Sequence, residues 1–397
     1  MPSSNYLFIH VVILIFFLSF SFSLAHNKSR KSIPSPRQNN NVDYKGCFSK
    51  IYAFGDSYTD TGNAHSIGGL KSFLGHAFAS RSFYGSTTNL PGHRLCNGKL
   101  VIDFLCESLS IPHLPSYELG TSFSNGANFA IAGSTLLSTD FFGHLKRSHS
   151  LMWKRNPVSI KTQIDWFNKF LIDVECKSRG ENECKVNMND TLFWIGEMGG
   201  NDYARIYGSP IASRLLTEVA VGNICSFLTT LLDKGAKYVV IQGLPPTGCL
   251  PLDMSLCQLT DRDQMGCSAS ANSVIRAHNE LLQKRLIEIQ NKRSDCMIVY
   301  ADYWNAYQTI LNNHKKYQFE EPFKACCGAG QGAFNFDLDT LCGSAGSTTC
   351  RDPNKYINWD GVHLTEAMHR NLADLFFHQG YCKPSFDQLI RKKKGIQ

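Results

Sequence analysis

Residues 51–57 read Ile51-Tyr52-Ala53-Phe54-Gly55-Asp56-Ser57. An apolar, partly aromatic run ends on a glycine, an acid and a hydroxyl, and small or polar residues continue to Gly62-Asn63. A short apolar run cut off by a breaker fits a buried strand. In open α/β sheets, ligands bind beyond the carboxyl ends of the strands. A serine in that place is either a turn residue or a nucleophile. What decides is whether the chain also supplies a base, an acid to orient it and donors for an oxyanion.

Outward from this stretch, strand-like and helix-like segments alternate. Strands are predicted at Ile51–Phe54, Asn128–Ala132, Thr191–Ile195, Tyr238–Gln242 and Met297–Ala301. Helical spacing of apolar residues marks 100–109, 160–174, 215–232, 274–289 and 364–377. Alternation of this kind implies a mostly parallel sheet covered on both faces. Asn201-Asp202 follows its strand in the same sense as Ser57 follows the first.

The two ends differ from this body. Leu7 to Leu24 is a nearly unbroken apolar run without charge, and Ser23-Leu24-Ala25 suits signal cleavage, so residues 1–25 read as a secretory signal peptide. The alternative is an uncleaved anchor, and no second run of spanning length is expected. Residues 26–46 read as a flexible leader, 47–385 as a single domain and 386–397 as a basic tail. The net charge of +7 is concentrated in residues 26–50 and in Arg391-Lys392-Lys393-Lys394, leaving a near-neutral body. That distribution argues against a nucleic-acid footprint. It suits solvated ends with, at most, weak contact to an acidic wall polymer or membrane surface. The 15 cysteines fit an extracellular, oxidising compartment that would pair most of them. Close sets are Cys176/Cys184, Cys249/Cys257/Cys267 and Cys326/Cys327/Cys342/Cys350, with no pairing readable from spacing. There is no C-x-x-C, so no structural zinc site is expected. The sequons at Asn27 and Asn189 would be open to glycosylation.

A serine hydroxyl becomes a useful nucleophile when a histidine, held by a carboxylate, takes its proton. Asp360 and His363 stand three apart ahead of a predicted helix, close enough for such a pair, though a D-x-x-H alone is equally a cap or turn. G-x-S-x-G, a Walker sequence, H-E-x-x-H and a dinucleotide fingerprint are all missing from the sequence. No cofactor or metal is expected. His278 reads as a surface or groove residue, Asp56 as a turn-fixing acid, and Asp60 and Asp202 as acids bonding loop backbone. The aromatics Phe73, Phe78, Phe83 and Tyr84 are candidates for lining a cleft.

Four blocks, in order, resemble the plant GDSL esterase/lipase family of the SGNH hydrolases. They are Gly55-Asp56-Ser57-Tyr58 with Asp60-Thr61-Gly62-Asn63; Asn125 to Ala130; Ile195 to Tyr203; and Trp359 to His363. The resemblance implies a three-layer α/β/α sandwich with a flavodoxin-like sheet. It implies Ser57 as nucleophile, His363 as base and Asp360 as its orienting acid. It implies the backbone N–H groups of Ser57 and Gly126, with the Asn201 amide, as oxyanion donors. The expected activity is hydrolysis of a small-molecule, lipid or cell-wall ester by a secreted enzyme. An acyltransferase using the same site and a non-catalytic binding protein are the alternatives. The sequence departs from the family in one place: Tyr58 stands where Leu is usual, and a larger ring there is expected to reshape the acyl or alcohol pocket.

Overall fold

The computed structural model describes residues 42–66, 93–144, 157–176, 186–206, 213–330 and 332–396. Five short strands run parallel: β1 (Lys50–Phe54), β2 (Gly126–Asn128), β3 (Thr191–Ile195), β4 (Tyr238–Gln242) and β5 (Met297–Ala301). A two-residue strand, β6 (Cys382–Lys383), pairs antiparallel with β5, and the sheet order is β6-β5-β4-β3-β1-β2. The chain therefore starts inside the sheet, winds to one edge and then to the other, which is the flavodoxin-like order.

Side chains alternate across the strands and enter two cores. Ile51, Ala53, Leu192, Trp194, Val240 and Val299 face one layer, while Tyr52, Phe54, Phe193, Ile195, Val239 and Ile298 face the other. The first layer holds α1 (Val101–Leu109), α6 (Tyr303–Asn312), α7 (Glu366–His378) and α8 (Phe386–Lys394). The second holds α2 (Ile160–Phe170), α4 (Ser213–Asp233) and α5 (Ala269–Lys292). The short α3 (Gly200–Ile206) follows the loop after β3, and its Ile206 enters the second core. The expected three-layer α/β/α sandwich is the architecture found.

Several expectations need correction. The second strand is Gly126–Asn128 rather than Asn128–Ala132. The helix α6 was not foreseen. It starts one residue past β5, where the Asp302 carboxylate caps the Asn305 N–H at 3.2 Å. The basic stretch 386–394 is a docked helix, with Phe386, Leu389 and Ile390 fully buried. Its lysines are used within the chain: Lys392 bonds the Cys296 carbonyl and Lys393 pairs with Asp190. The body also begins ahead of residue 47, because the buried Tyr44 hydroxyl donates to the Phe377 carbonyl at 2.7 Å. Helix α4 is long and apolar enough to cross a membrane by composition. Leu216, Ala220, Ile224, Phe227 and Leu231 are spent in the core, however, so it serves as a core helix here.

Disulfides join Cys249–Cys267, Cys326–Cys350 and Cys327–Cys342, and Cys176 is also disulfide-bonded. The Cys326–Cys350 stretch is thus stapled twice. Against the expected near-complete pairing, seven described cysteines are free thiols. Five of these, Cys47, Cys96, Cys106, Cys296 and Cys382, are buried and pack as small apolar side chains. The signal region, the Asn27 sequon, Cys184 and the aromatics Phe73, Phe78, Phe83 and Tyr84 lie outside the described residues.

Candidate active site

The loops leaving the carboxyl ends of β1, β2 and β3 converge, and side chains stitch them together. Past β1, Gly55 exchanges two bonds with Gln163: its N–H donates to Oε1 at 3.0 Å and its carbonyl accepts from Nε2 at 2.8 Å. The same Nε2 also donates to Ser134 Oγ at 3.0 Å. Past β2, the chain keeps alongside β1 as Phe129 N–H donates to Ala53 and Ile131 N–H to Gly55, then turns at Gly133, whose φ is 80°. Past β3, Gly196 lies so close to Thr59 that a Cβ there would sit 2.1 Å from Thr59 Oγ1. Close approach of the first and third loops therefore needs this glycine.

Asp56, Ser57 and Asn201 meet at this junction. Asn201 Nδ2 donates to Asp56 Oδ2 at 2.7 Å and to the Ser134 carbonyl at 3.1 Å. Asp56 Oδ1 accepts from Tyr58 N–H at 3.1 Å, which fixes the turn carrying Ser57. Asp60 accepts from the N–H groups of Gly62, Asn63, Ala64 and Ala132. Asp202 accepts from Leu136 and Leu137, both at 2.9 Å. These two acids hold loop backbone, as the sequence suggests.

The fourth element is the loop after the short strand Tyr356–Asn358. Asp360 Oδ2 meets His363 Nδ1 at 2.8 Å, and Oδ1 accepts from the N–H groups of Val362 and His363 at 2.7 and 2.6 Å. Burial pushes the Asp360 carboxyl up, but His363 and these N–H groups outweigh it and hold Asp360 below the usual carboxylate range. Tyr58 ties this loop to the first: its hydroxyl donates to the Val362 carbonyl at 2.7 Å. Ser57, Asp360 and His363 are all buried, at 6%, 6% and 3% exposure, which shields their interactions from water.

Two sequence expectations change here, those for His278 and Gly126. The Tyr58 ring is buried against Tyr303, His363 and His369. His278 is fully buried under Gly199, and burial pushes its imidazole down to about 3, so it is neutral. Gly126 is at the wrong end of the sheet. It pairs with Ile51 at the entry of β1, about 20 Å of extended chain from Ser57, and its N–H already donates to Phe123. Its glycine is required because a Cβ would sit 1.9 Å from the Ile51 carbonyl oxygen. A second glycine, Gly133, which sequence reasoning missed, follows Ile131, whose N–H bonds Gly55, and precedes Ser134, whose carbonyl bonds Asn201. Among the described residues, the N–H groups of Ser57 and Gly133 have no acceptor. The signal for Gly133 was its place past a strand's carboxyl end.

The profile of GDSL-like lipases/acylhydrolases matches residues 51–376. The chain belongs to that family. A GDSL esterase/lipase of Arabidopsis thaliana is 45% identical, covering 87% of this chain and 90% of its own. Acetylajmalan esterase 2 of Rauvolfia serpentina is 35% identical over 82% of this chain and 88% of its own. A phospholipase A1 of Streptomyces albidoflavus covers 75% of this chain and 95% of its own at 12% identity and a TM-score of 0.31. This GDSL-type chain is accordingly a carboxylic ester hydrolase, and the four stitched loops are where its family motifs gather.

Proposed function

We propose that the protein cleaves carboxylic esters through an acyl-enzyme formed on Ser57. In this reading His363 takes the Ser57 proton, and Asp360 fixes the imidazole tautomer and stabilises the imidazolium that forms. The bond from Asp360 Oδ2 to His363 Nδ1 at 2.8 Å carries the reading, since it leaves Nε2 as the nitrogen that accepts the proton. As the tetrahedral intermediate forms, negative charge collects on the former carbonyl oxygen. The Ser57 and Gly133 N–H groups, without an acceptor among the described residues, are the donors for it, with Asn201 Nδ2 as the third. Asn201 would redirect the longer of its two bonds, the 3.1 Å one to Ser134, and keep the shorter one to Asp56. His363 then protonates the leaving alcohol, and water, deprotonated by the same imidazole, releases the acid.

The uncharged apolar run at 7–24, the three disulfides and the disulfide-bonded Cys176 support secretion. Acetyl esters are the first substrates to test, because one relative is named an acetylajmalan esterase. The experiment is a p-nitrophenyl ester series from acetate to palmitate on wild type, Ser57→Ala and His363→Ala. Turnover is expected in wild type and a loss of about 10⁴-fold in both variants. Equal turnover in wild type and Ser57→Ala would remove the mechanism.

A further inference from the structure

Directly behind the Asn201 amide lie two carboxyl groups in one hydrogen bond. Asp56 and Glu197 are 2% and 3% exposed and bond each other through their side chains. Two ionised carboxylates cannot share that contact, so one of them holds a proton. Asp56 accepts from two other donors, Tyr58 N–H and Asn201 Nδ2, both of which favour its charged form. Glu197 Oε2 is buried and receives no N–H donor, and a further acid, Asp202, faces Glu197. The proton therefore belongs to Glu197, which donates, and the charge belongs to Asp56, which accepts.

We propose that Glu197 is a positioning residue: its carboxyl group donates to Asp56, and Asp56, held by three donors, fixes the Asn201 amide at the Ser57 loop. The proposal rests on Asn201 acting as an oxyanion donor. Neither Asp56 nor Glu197 touches the reacting atoms in this scheme. Glu197 acts through Asp56 alone, by preventing the carboxylate from turning away from Asn201. Burial, followed by the Asp56 charge and the shared hydrogen bond, holds the Glu197 carboxyl well above the usual range, in line with the proton sitting on Glu197.

The test compares Glu197→Gln, Glu197→Met and Asn201→Ala, alone and combined, with kcat expressed per serine labelled by a fluorophosphonate so that misfolded protein is not counted. Gln keeps an N–H donor for Asp56, whereas Met matches the length and has none. Glu197→Gln is expected to stay within about threefold of wild type, as a rescue by a neutral donor. Glu197→Met is expected to lose about 10- to 100-fold in kcat with little change in KM, a fraction of the loss expected for removing the oxyanion donor itself. In the Asn201→Ala background, Glu197→Met is expected to cost no more than about twofold, because the group it positions is gone. Additive losses in the double variant would overturn the proposal. So would a Gln variant as impaired as the Met variant, and the Gln result decides alone if the Met variant yields no labelled protein. Wild-type turnover in Asn201→Ala would overturn the oxyanion reading as well, which distinguishes that failure from a failure at Glu197 only.

Discussion

Gly126 and Gly133 stand seven residues apart, one at the start of β2 and the other five residues past its exit, and both have positive φ. Gly126 is a packing glycine: it lets β2 lie against the entry of β1, and its N–H is consumed locally. Gly133 lies past the exit of β2, between Ile131, which bonds Gly55, and Ser134, which bonds Asn201, and its N–H has no acceptor among the described residues. The lesson is that a motif glycine takes its role from the end of the strand it occupies, because only the carboxyl ends of this sheet open toward the reacting groups.

The difference can be broken by substitution. Gly133→Ala is expected to lower kcat about 100-fold, since a side chain at φ 80° displaces the turn that presents its N–H. Gly126→Ala should leave kcat per labelled serine near wild type while lowering unfolding stability by on the order of 2 kcal/mol, as the new Cβ meets the Ile51 carbonyl. Thermal melts and active-serine titration on both variants read the two effects separately. The reverse pattern would restore Gly126 to the site.

A second contrast concerns the acids on the same loops. Burial pushes the Asp202 carboxyl up to about 7 in spite of the Leu136 and Leu137 N–H groups, whereas Asp360 is held low by His363. For Asp202 the folded state binds the proton more tightly than the unfolded state, whose carboxyl titrates near 3.8. Its contribution to stability is therefore complete below that value and is lost as pH rises toward about 7. Asp202→Asn should shift the melting temperature by an offset and also flatten its fall between about pH 4 and 7. Parallel wild-type and variant curves would contradict the assignment. A smaller effect is expected at the latch between the first and fourth loops. Tyr58→Phe removes the bond to Val362 and should cost about 1 kcal/mol in stability, with only a few-fold loss in kcat. Its readouts are a denaturant midpoint and a rate on the best p-nitrophenyl ester.

How far these features were legible in the sequence follows from where backbone bonding is local. Thr191–Ile195, Tyr238–Gln242 and Met297–Ala301 are apolar runs bounded by breakers, and the strands match them residue for residue. The second strand was misplaced because side chains take over its ladder. Asn63 Nδ2 donates to the carbonyls of Asn128 and Ala130, and Asn128 bonds Thr59 and Ala130. The Gly126 assignment rests on the family resemblance alone and takes no account of which end of the strand it occupies. The helix at 386–394 has Phe386, Leu389 and Ile390 at helical spacing, but the four adjacent basic residues outweighed this signal. The positions of Ser57, Asp360, His363 and Asn201 were readable as ordered short blocks. The Tyr58–Val362 bond spans 304 residues of sequence, and the Glu197–Asp56 contact joins loops from different strands, so local pattern could not reveal either.

The central claim is that the carboxyl-end loops present one activated serine. Labelling the wild-type protein with a fluorophosphonate and mapping the adduct by peptide mass spectrometry tests it most directly. The account predicts a single adduct on Ser57, with labelling lost in His363→Ala. An adduct on another serine, or labelling that persists without His363, would contradict it.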